Sequence, residues 1–296
     1  MFLWKPLLNY SSISQEIFNT TFMRVISSLA LSAAVVFITG LVVIHPTKFQ
    51  AHTLRDELMT DLVSTYAQNA TTPTPQVKPS VPAAVKPSPL PTDDLVYQPW
   101  WQKQVISQVS IAQNREYNAC LFGDSISSGI GNTLGKQNFN FALGGMSTVS
   151  LLAQLKILTS ANVKCQTAII AMGTNDADYN ITNNSFVKNL NYSIDLVKGM
   201  GATKVFLIPA FYSTVEASHN PQLAGSIARV EEINALIRQV SATQNVVLFE
   251  EDIQPLYEGQ ALKKTLTTDG VHLNTSGKKI YRQALLNLLS LSFKKC

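Results

Sequence analysis

CLFGDSISSG, residues 120–129, starts as an apolar run and turns polar within a few positions. Cys, Leu and Phe read as the end of a buried strand, and Gly123-Asp124-Ser125 as the corner that leaves it. A serine at such a corner is either a small turn former or a nucleophile exposed where a strand meets a helix. Only its partners elsewhere in the chain can decide between the two.

The same pattern recurs downstream. NACLF (118–122), FNFAL (139–143), TAIIAM (167–172), KVFLIPAF (204–211) and NVVLFE (245–250) are short apolar runs rich in strand formers. Between them Phe186, Leu190, Ile194 and Val197 recur at helical spacing, as do Ile227, Val230, Ile233, Ile237 and Val240, and a closing helix is predicted over about 276–291. Apolar strands separated by helices build a parallel sheet covered on both faces. The predicted class is α/β.

Ahead of that region the chain is organised differently. After a short tail, 1–24, residues 25–44 form an uncharged apolar run long enough to cross a bilayer as a helix. It exceeds the usual apolar core of a secretory leader, and no small-x-small cleavage site follows, so an uncleaved single-span anchor is expected. Residues 45–70 form a juxtamembrane segment with a short helix at about 54–68. A linker follows over 71–94, with seven prolines between 71 and 91, which suits an extended spacer and excludes a packed core. The predicted globular domain is 95–296. Lys5 and Arg24 before the span balance Lys48 and Arg55 after it, so the expectation of an extracytoplasmic domain rests on the stalk.

Bulk charge points to no partner. The formal net charge is +4, and the basic residues are scattered without a run that would track nucleic acid. Cys120, Cys165 and Cys296 lack zinc-ligand spacing. Cys120, inside an apolar run, reads most simply as a buried free thiol, with one bridge left open. No metal and no organic cofactor are expected.

In open parallel sheets, ligands bind beyond the carboxyl ends of the strands. The first strand ends in Gly123-Asp124-Ser125, the second in GGMST (144–148) and the third in GTND (173–176). Near the C-terminus, TTDGVHLN places Asp269 three residues before His272. Of the four histidines, His45 and His52 flank the apolar run, His219 follows the fourth strand, and His272 alone has a close acidic neighbour. A serine needs such a base, and the base needs a carboxylate to hold its other nitrogen. By itself, Asp-x-x-His also fits a capping turn.

Taken together and in order, GDSIS, NFALGGMST, GTND and DGVHL resemble the blocks of the SGNH subgroup of GDSL hydrolases. The resemblance spans about residues 117–291 and leaves out the anchor and stalk. One position departs from the pattern: Ala142 stands where the second block usually has glycine. The resemblance implies a three-layer α/β/α sandwich of flavodoxin-like type, with strand order 2-1-3-4-5. It implies Ser125 as nucleophile, His272 as base and Asp269 as its orienter. The oxyanion hole would be the N–H of Ser125, the N–H of Gly145 and the side-chain amide of Asn175. Asp124 and Asp176 are expected to brace their loops, and Ser127 and Ser128 to act as turn or cap residues.

The expected activity is hydrolysis of short acyl esters through an acyl-serine intermediate, on a small-molecule, glycan or lipid ester at the cell envelope. The alternatives are O-acyl transfer to an envelope polysaccharide by the same residues, and an anchored binding module with a silent site. An open polar cleft shaped by residues 211–225 would favour a glycan, and a long apolar groove a lipid.

Overall fold

The computed structural model describes residues 93–293. The apolar run 25–44, the segment 45–70 and most of the stretch 71–94 lie outside the described residues. Among the described residues, no helix is long and apolar enough to cross a membrane.

Five strands form one parallel sheet: β1 (Glu116–Gly123), β2 (Asn138–Asn140), β3 (Lys164–Ala171), β4 (Lys204–Ile208) and β5 (Val247–Leu248). Their order is β2-β1-β3-β4-β5, as the family resemblance implies. β1 sits beside β3 with Leu121 opposite Ile169, and β3 beside β4 with Ile169 opposite Phe206. Apolar side chains alternate between the faces. Cys120, Phe122, Ile170 and Leu207 enter one core, and Leu121, Ile169, Phe206 and Ile208 the other.

The first core is closed by helices α1 (Pro99–Ala112), α3 (Thr148–Ser160), α5 (Asn183–Gly199) and α7 (Ile227–Gln244). Val230, Ile233, Ile237 and Val240 of α7 are buried there as their spacing predicts. Each such side chain contributes about 1.5–3 kcal/mol by leaving water. The second core is closed mainly by α8 (Thr275–Phe293), through Tyr281, Leu285 and Leu288, with short α2 (Ser125–Ser128) and a hairpin, β6 (Tyr257–Glu258) and β7 (Ala261–Leu262). Two further short α-helices among the described residues, α4 (Thr174–Asp178) and α6 (Val215–Ser218), sit on loops after strands.

Three expectations are corrected. The fourth strand stops at Ile208 because Pro209 has no N–H to continue the ladder. Beyond it the Ala210 N–H bonds the Asn234 side chain at 2.7 Å, and the Phe211 N–H bonds the Thr174 hydroxyl at 2.9 Å. Cys120 is no free thiol: it is joined to Cys165, with Cα atoms 5.9 Å apart. β1 and β3 are sheet neighbours, so cysteines 45 residues apart fall within bridging distance. The packed region also starts earlier than residue 95. The Asp93 carboxylate accepts from the backbone N–H groups of Ser147 (3.2 Å) and Ser150 (3.1 Å) and from both hydroxyls, clamping the start of α3. Leu95 and Val96 are buried just behind it.

Candidate active site

Ser125 is the first residue of α2, at the carboxyl end of the interior strand β1. Asp124 holds the turn: its Oδ1 accepts from the Ile126 N–H at 2.9 Å. Burial pushes the Asp124 carboxyl up to about 6, against opposing hydrogen bonds from Ile126 and the Thr174 hydroxyl. It is a bracing residue, as expected. Ser127 is buried and shares a 2.8 Å hydrogen bond with the Tyr281 hydroxyl, so it belongs to the packing under α8.

Ser125 Oγ lies 2.9 Å from His272 Nε2, and His272 Nδ1 lies 2.7 Å from Asp269 Oδ2. The three-residue spacing explains the second contact. Asp269 Oδ1 accepts from the N–H groups of Val271 (2.9 Å) and His272 (2.8 Å), and that tight turn swings the ring back over the carboxylate. The capping geometry and the Asp–His pair are therefore one structure. Burial pushes the Asp269 carboxyl up, but hydrogen bonds from His272 and Val271 outweigh it and hold the group below the usual carboxylate range. An anionic carboxylate only accepts, so Nδ1 must carry the hydrogen, and the lone pair on Nε2 faces the Ser125 hydroxyl. Both side chains are about half exposed, His272 at 48% and Asp269 at 50%, so a bound substrate would cover them.

The second and third corners meet beside the serine. A Cβ on Gly144 would lie 3.9 Å from Ser125 Cβ. Gly145 has φ +73°, a left-handed conformation that glycine adopts without strain. Asn175 Nδ2 donates to the Met146 carbonyl at 2.9 Å, and the Tyr179 hydroxyl donates to the Gly145 carbonyl at 2.8 Å. The loop after Gly144 is thereby tied to α4. A primary amide carries two N–H groups, so Asn175 keeps a second donor after bonding Met146. Ala142, the departure from the family pattern, is buried and donates its N–H to Asn140 Oδ1 at 3.0 Å.

Asp176 is fully buried and accepts from Thr148 through the backbone N–H (3.1 Å) and the hydroxyl (2.5 Å). Burial pushes its carboxyl up to about 7, with Thr148 opposing and Asp93 and Asp124 adding to the rise. A folded-state value above the ordinary 3.8 means that the folded chain holds this proton where the unfolded chain has released it. That contribution to stability is full below about pH 4 and is lost as pH rises towards 7. Urea midpoints are expected to fall over this window, with Asp124 adding to the trend, and Asp176→Asn should flatten the profile. A profile identical to that of the unaltered chain would contradict this origin.

Several contributors went unread in the sequence. Thr174 bonds Asp124 and Phe211 and so links three corners. Tyr179 and Asp93 tie down the glycine loop and the helix after it. Asp93 and Tyr179 belong to no motif, Thr174 lies inside GTND without any mark of this role, and only the folded chain shows their partners. His219 ends α6, exposed, and joins no part of the site. The Asn274 amide is engaged as well: it donates to the Thr265 carbonyl at 2.8 Å and accepts from the Ser276 and Gly277 N–H groups at the start of α8.

Solved structures share this fold. A GDSL-like lipase from Bacteroides thetaiotaomicron superposes with a TM-score of 0.54 at 18% identity, covering 64% of this chain and 98% of its own. A Bacteroides fragilis protein described as an acylhydrolase gives 0.54 at 18% identity, covering 68% and 99%. No curated protein matches the chain in sequence at a significant level. Residues 121–280 match the sequence model of the GDSL-like lipase/acylhydrolase family, more than half of the 296 residues. That match contains the serine corner, the glycine loop, GTND and the Asp-x-x-His turn, and the chain accordingly belongs to the GDSL-like lipase/acylhydrolase family of serine ester hydrolases.

Proposed function

We propose that the enzyme removes short acyl groups from polar alcohols, with Ser125 as nucleophile, His272 as general base and then acid, and Asp269 as its orienter. The observation that carries this reading is the continuous hydrogen-bonded path from Ser125 Oγ through the His272 ring to Asp269. Ser125 Oγ attacks the ester carbon while its proton passes to Nε2. The carbonyl electrons move onto oxygen, facing the N–H groups of Ser125 and Gly145 and the Asn175 amide, whose fixed dipoles favour the developing charge. The proton on Nε2 then goes to the departing alkoxide, leaving an acyl-Ser125. Water, losing its proton to the same nitrogen, attacks this ester and releases the acid and the serine.

The shape beyond the triad favours a polar alcohol. An open cleft of about 440 Å³ adjoins Asp269, lined by Thr214, Glu216, Asn220, Lys264 and Thr267 among others. Such walls suit a hydroxylated group better than an acyl tail. The half-exposed His272 also leaves room for a sugar hydroxyl to take the place of water, which would make the reaction an acyl transfer. We further propose that the domain stands on the extracytoplasmic side of a membrane, held by 25–44 and the proline-rich stalk. The Cys120–Cys165 disulfide supports this, because such bridges persist in oxidising compartments.

The test is a chain-length comparison on the full protein. Activity on p-nitrophenyl acetate should exceed that on p-nitrophenyl octanoate by about tenfold or more, equivalent to about 1.4 kcal/mol of transition-state binding. A preference for octanoate would overturn the short-acyl reading.

A further inference from the structure

A small pocket lies against Asn175 and is walled by Asp178, Ser213, Leu223, Gly225 and Val271. Its position matters. Asn175 is the side-chain amide of the oxyanion site, and Val271 is the residue before His272, so the pocket flanks the place of the reacting ester. Its walls are tight: a Cβ on Gly225 would come within 2.7 Å of the Ala177 backbone, so this loop rests directly on α4. About 20 Å³ is free inside, room for one water-sized group.

Two residues of this lining carry a buried polar atom without a partner. Ser213 is 4% exposed, and its hydroxyl makes no hydrogen bond. Asp178 Oδ1 is also buried and unbonded. Buried polar groups are mostly paired, though Trp101, Tyr117 and Tyr257 among others also carry an unpartnered buried atom. Ser213 and Asp178, however, stand together in the lining of one small pocket beside the reaction centre, and that juxtaposition points to a ligand. Burial pushes the Asp178 carboxyl up, as expected for an oxygen that has lost water and gained no donor. The methyl of an acetyl group would fit by size, yet it would leave both atoms unpaired. A hydroxyl can donate to Asp178 and accept from Ser213 at once. Leu223 lines both this pocket and the open cleft with Thr214, Glu216 and Lys264, so the two spaces lie side by side.

We propose that this pocket receives a free hydroxyl of a polyhydroxylated alcohol, next to the ester being cut, and that Asp178 and Ser213 thereby select sugar esters over simple ones. This rests on the serine-esterase reading of the adjoining site. Neither residue takes part in the bond-making steps; both set which alcohol is bound.

The test compares kcat/KM for three substrates: p-nitrophenyl acetate, a mono-O-acetylated methyl glucoside, and its fully acetylated counterpart, which has no free hydroxyl. The unaltered enzyme should prefer the mono-acetylated sugar to the fully acetylated one. Asp178→Ala and Ser213→Ala should each lower kcat/KM on the mono-acetylated sugar by about tenfold or more, the value of one hydrogen bond in a buried site. Both should stay within about twofold on p-nitrophenyl acetate. Ser213→Ala removes only an unpartnered hydroxyl and should leave the melting temperature unchanged or higher. Equal losses on all substrates, no loss on the sugar ester, or no hydrolysis of the mono-acetylated sugar by an enzyme active on p-nitrophenyl acetate would each overturn the proposal. Should Ser125→Ala leave p-nitrophenyl acetate hydrolysis intact, the serine-esterase reading itself would fail, and that outcome is separate from the other three.

Discussion

Ser125→Ala, His272→Ala and the double variant are expected to lose about the same factor in kcat on p-nitrophenyl acetate, on the order of 10⁴-fold or more. The reason is that the two side chains act as one device. Ser125 Oγ reaches 2.9 Å from His272 Nε2, and the hydroxyl becomes a useful nucleophile only as its proton leaves along that line. Without His272 the serine keeps its proton, and without Ser125 the imidazole has nothing to activate. Removing the second member therefore takes away almost nothing further. Independent contributions would instead multiply. Losses that multiply in the double variant, or a His272→Ala enzyme near full activity, would show that another base serves the serine. Because His272 is about half exposed and Ser125→Ala removes only a hydroxyl, neither substitution should lower the melting temperature by more than a degree or two, which separates lost chemistry from lost fold.

Asn175→Ala is expected to lower kcat on the same substrate by about 10²–10³-fold, with KM changed far less. The full negative charge exists only in the tetrahedral intermediate and the transition states around it. A donor placed for that oxygen acts on the rate and hardly on ground-state binding. The substitution also removes the 2.9 Å bond to the Met146 carbonyl, so loosening of the glycine loop is a rival explanation. Tyr179→Phe separates the two. It removes the 2.8 Å bond to the Gly145 carbonyl, which tethers the same loop but donates nothing to substrate. Its loss in kcat should be smaller than that of Asn175→Ala by about tenfold or more, the worth of a buried donor beyond its role as a tether. Equal losses in the two variants would assign Asn175 to loop bracing.

Much of the architecture is readable from residues alone because period and punctuation agree. Apolar runs in β1, β3 and β4, the first two ending at polar corners, imply a covered parallel sheet, and the spacing in α5 and α7 marks which helix faces meet it. The strand ends are less legible. Nothing in KVFLIPAF stops a strand except Pro209, and the Ala210 and Phe211 N–H groups that follow are satisfied by Asn234 and Thr174, partners far along the chain. The disulfide has the same cause. Cys120 and Cys165 lie on the first and third strands, and they become neighbours only once β1 is known to sit beside β3.

The site shows the same division. Ser125, Asp269 and His272 announce themselves because their blocks occur in order and their residue types suit one task. Asp269 and His272 even fold into their geometry locally, through a three-residue turn. Asp93 and Tyr179 carry no such mark, and Thr174, though inside GTND, is not marked there as a link between loops. Asp93 lies at the end of a stretch whose prolines read as linker, yet its carboxylate holds the first turn of α3 behind the glycine loop. Long-range polar contacts of this kind depend on which loops the sheet order brings together, and no periodicity encodes that.

The central claim is that Ser125 forms the covalent intermediate, and mass spectrometry of the full chain quenched in acid soon after mixing with p-nitrophenyl acetate tests it most directly. The expected result is one added acetyl group, mapped to the peptide containing Ser125, absent from Ser125→Ala and decaying as acetate is released. Hydrolysis at the unaltered rate in Ser125→Ala, or an acetyl group mapped to another residue, would contradict it.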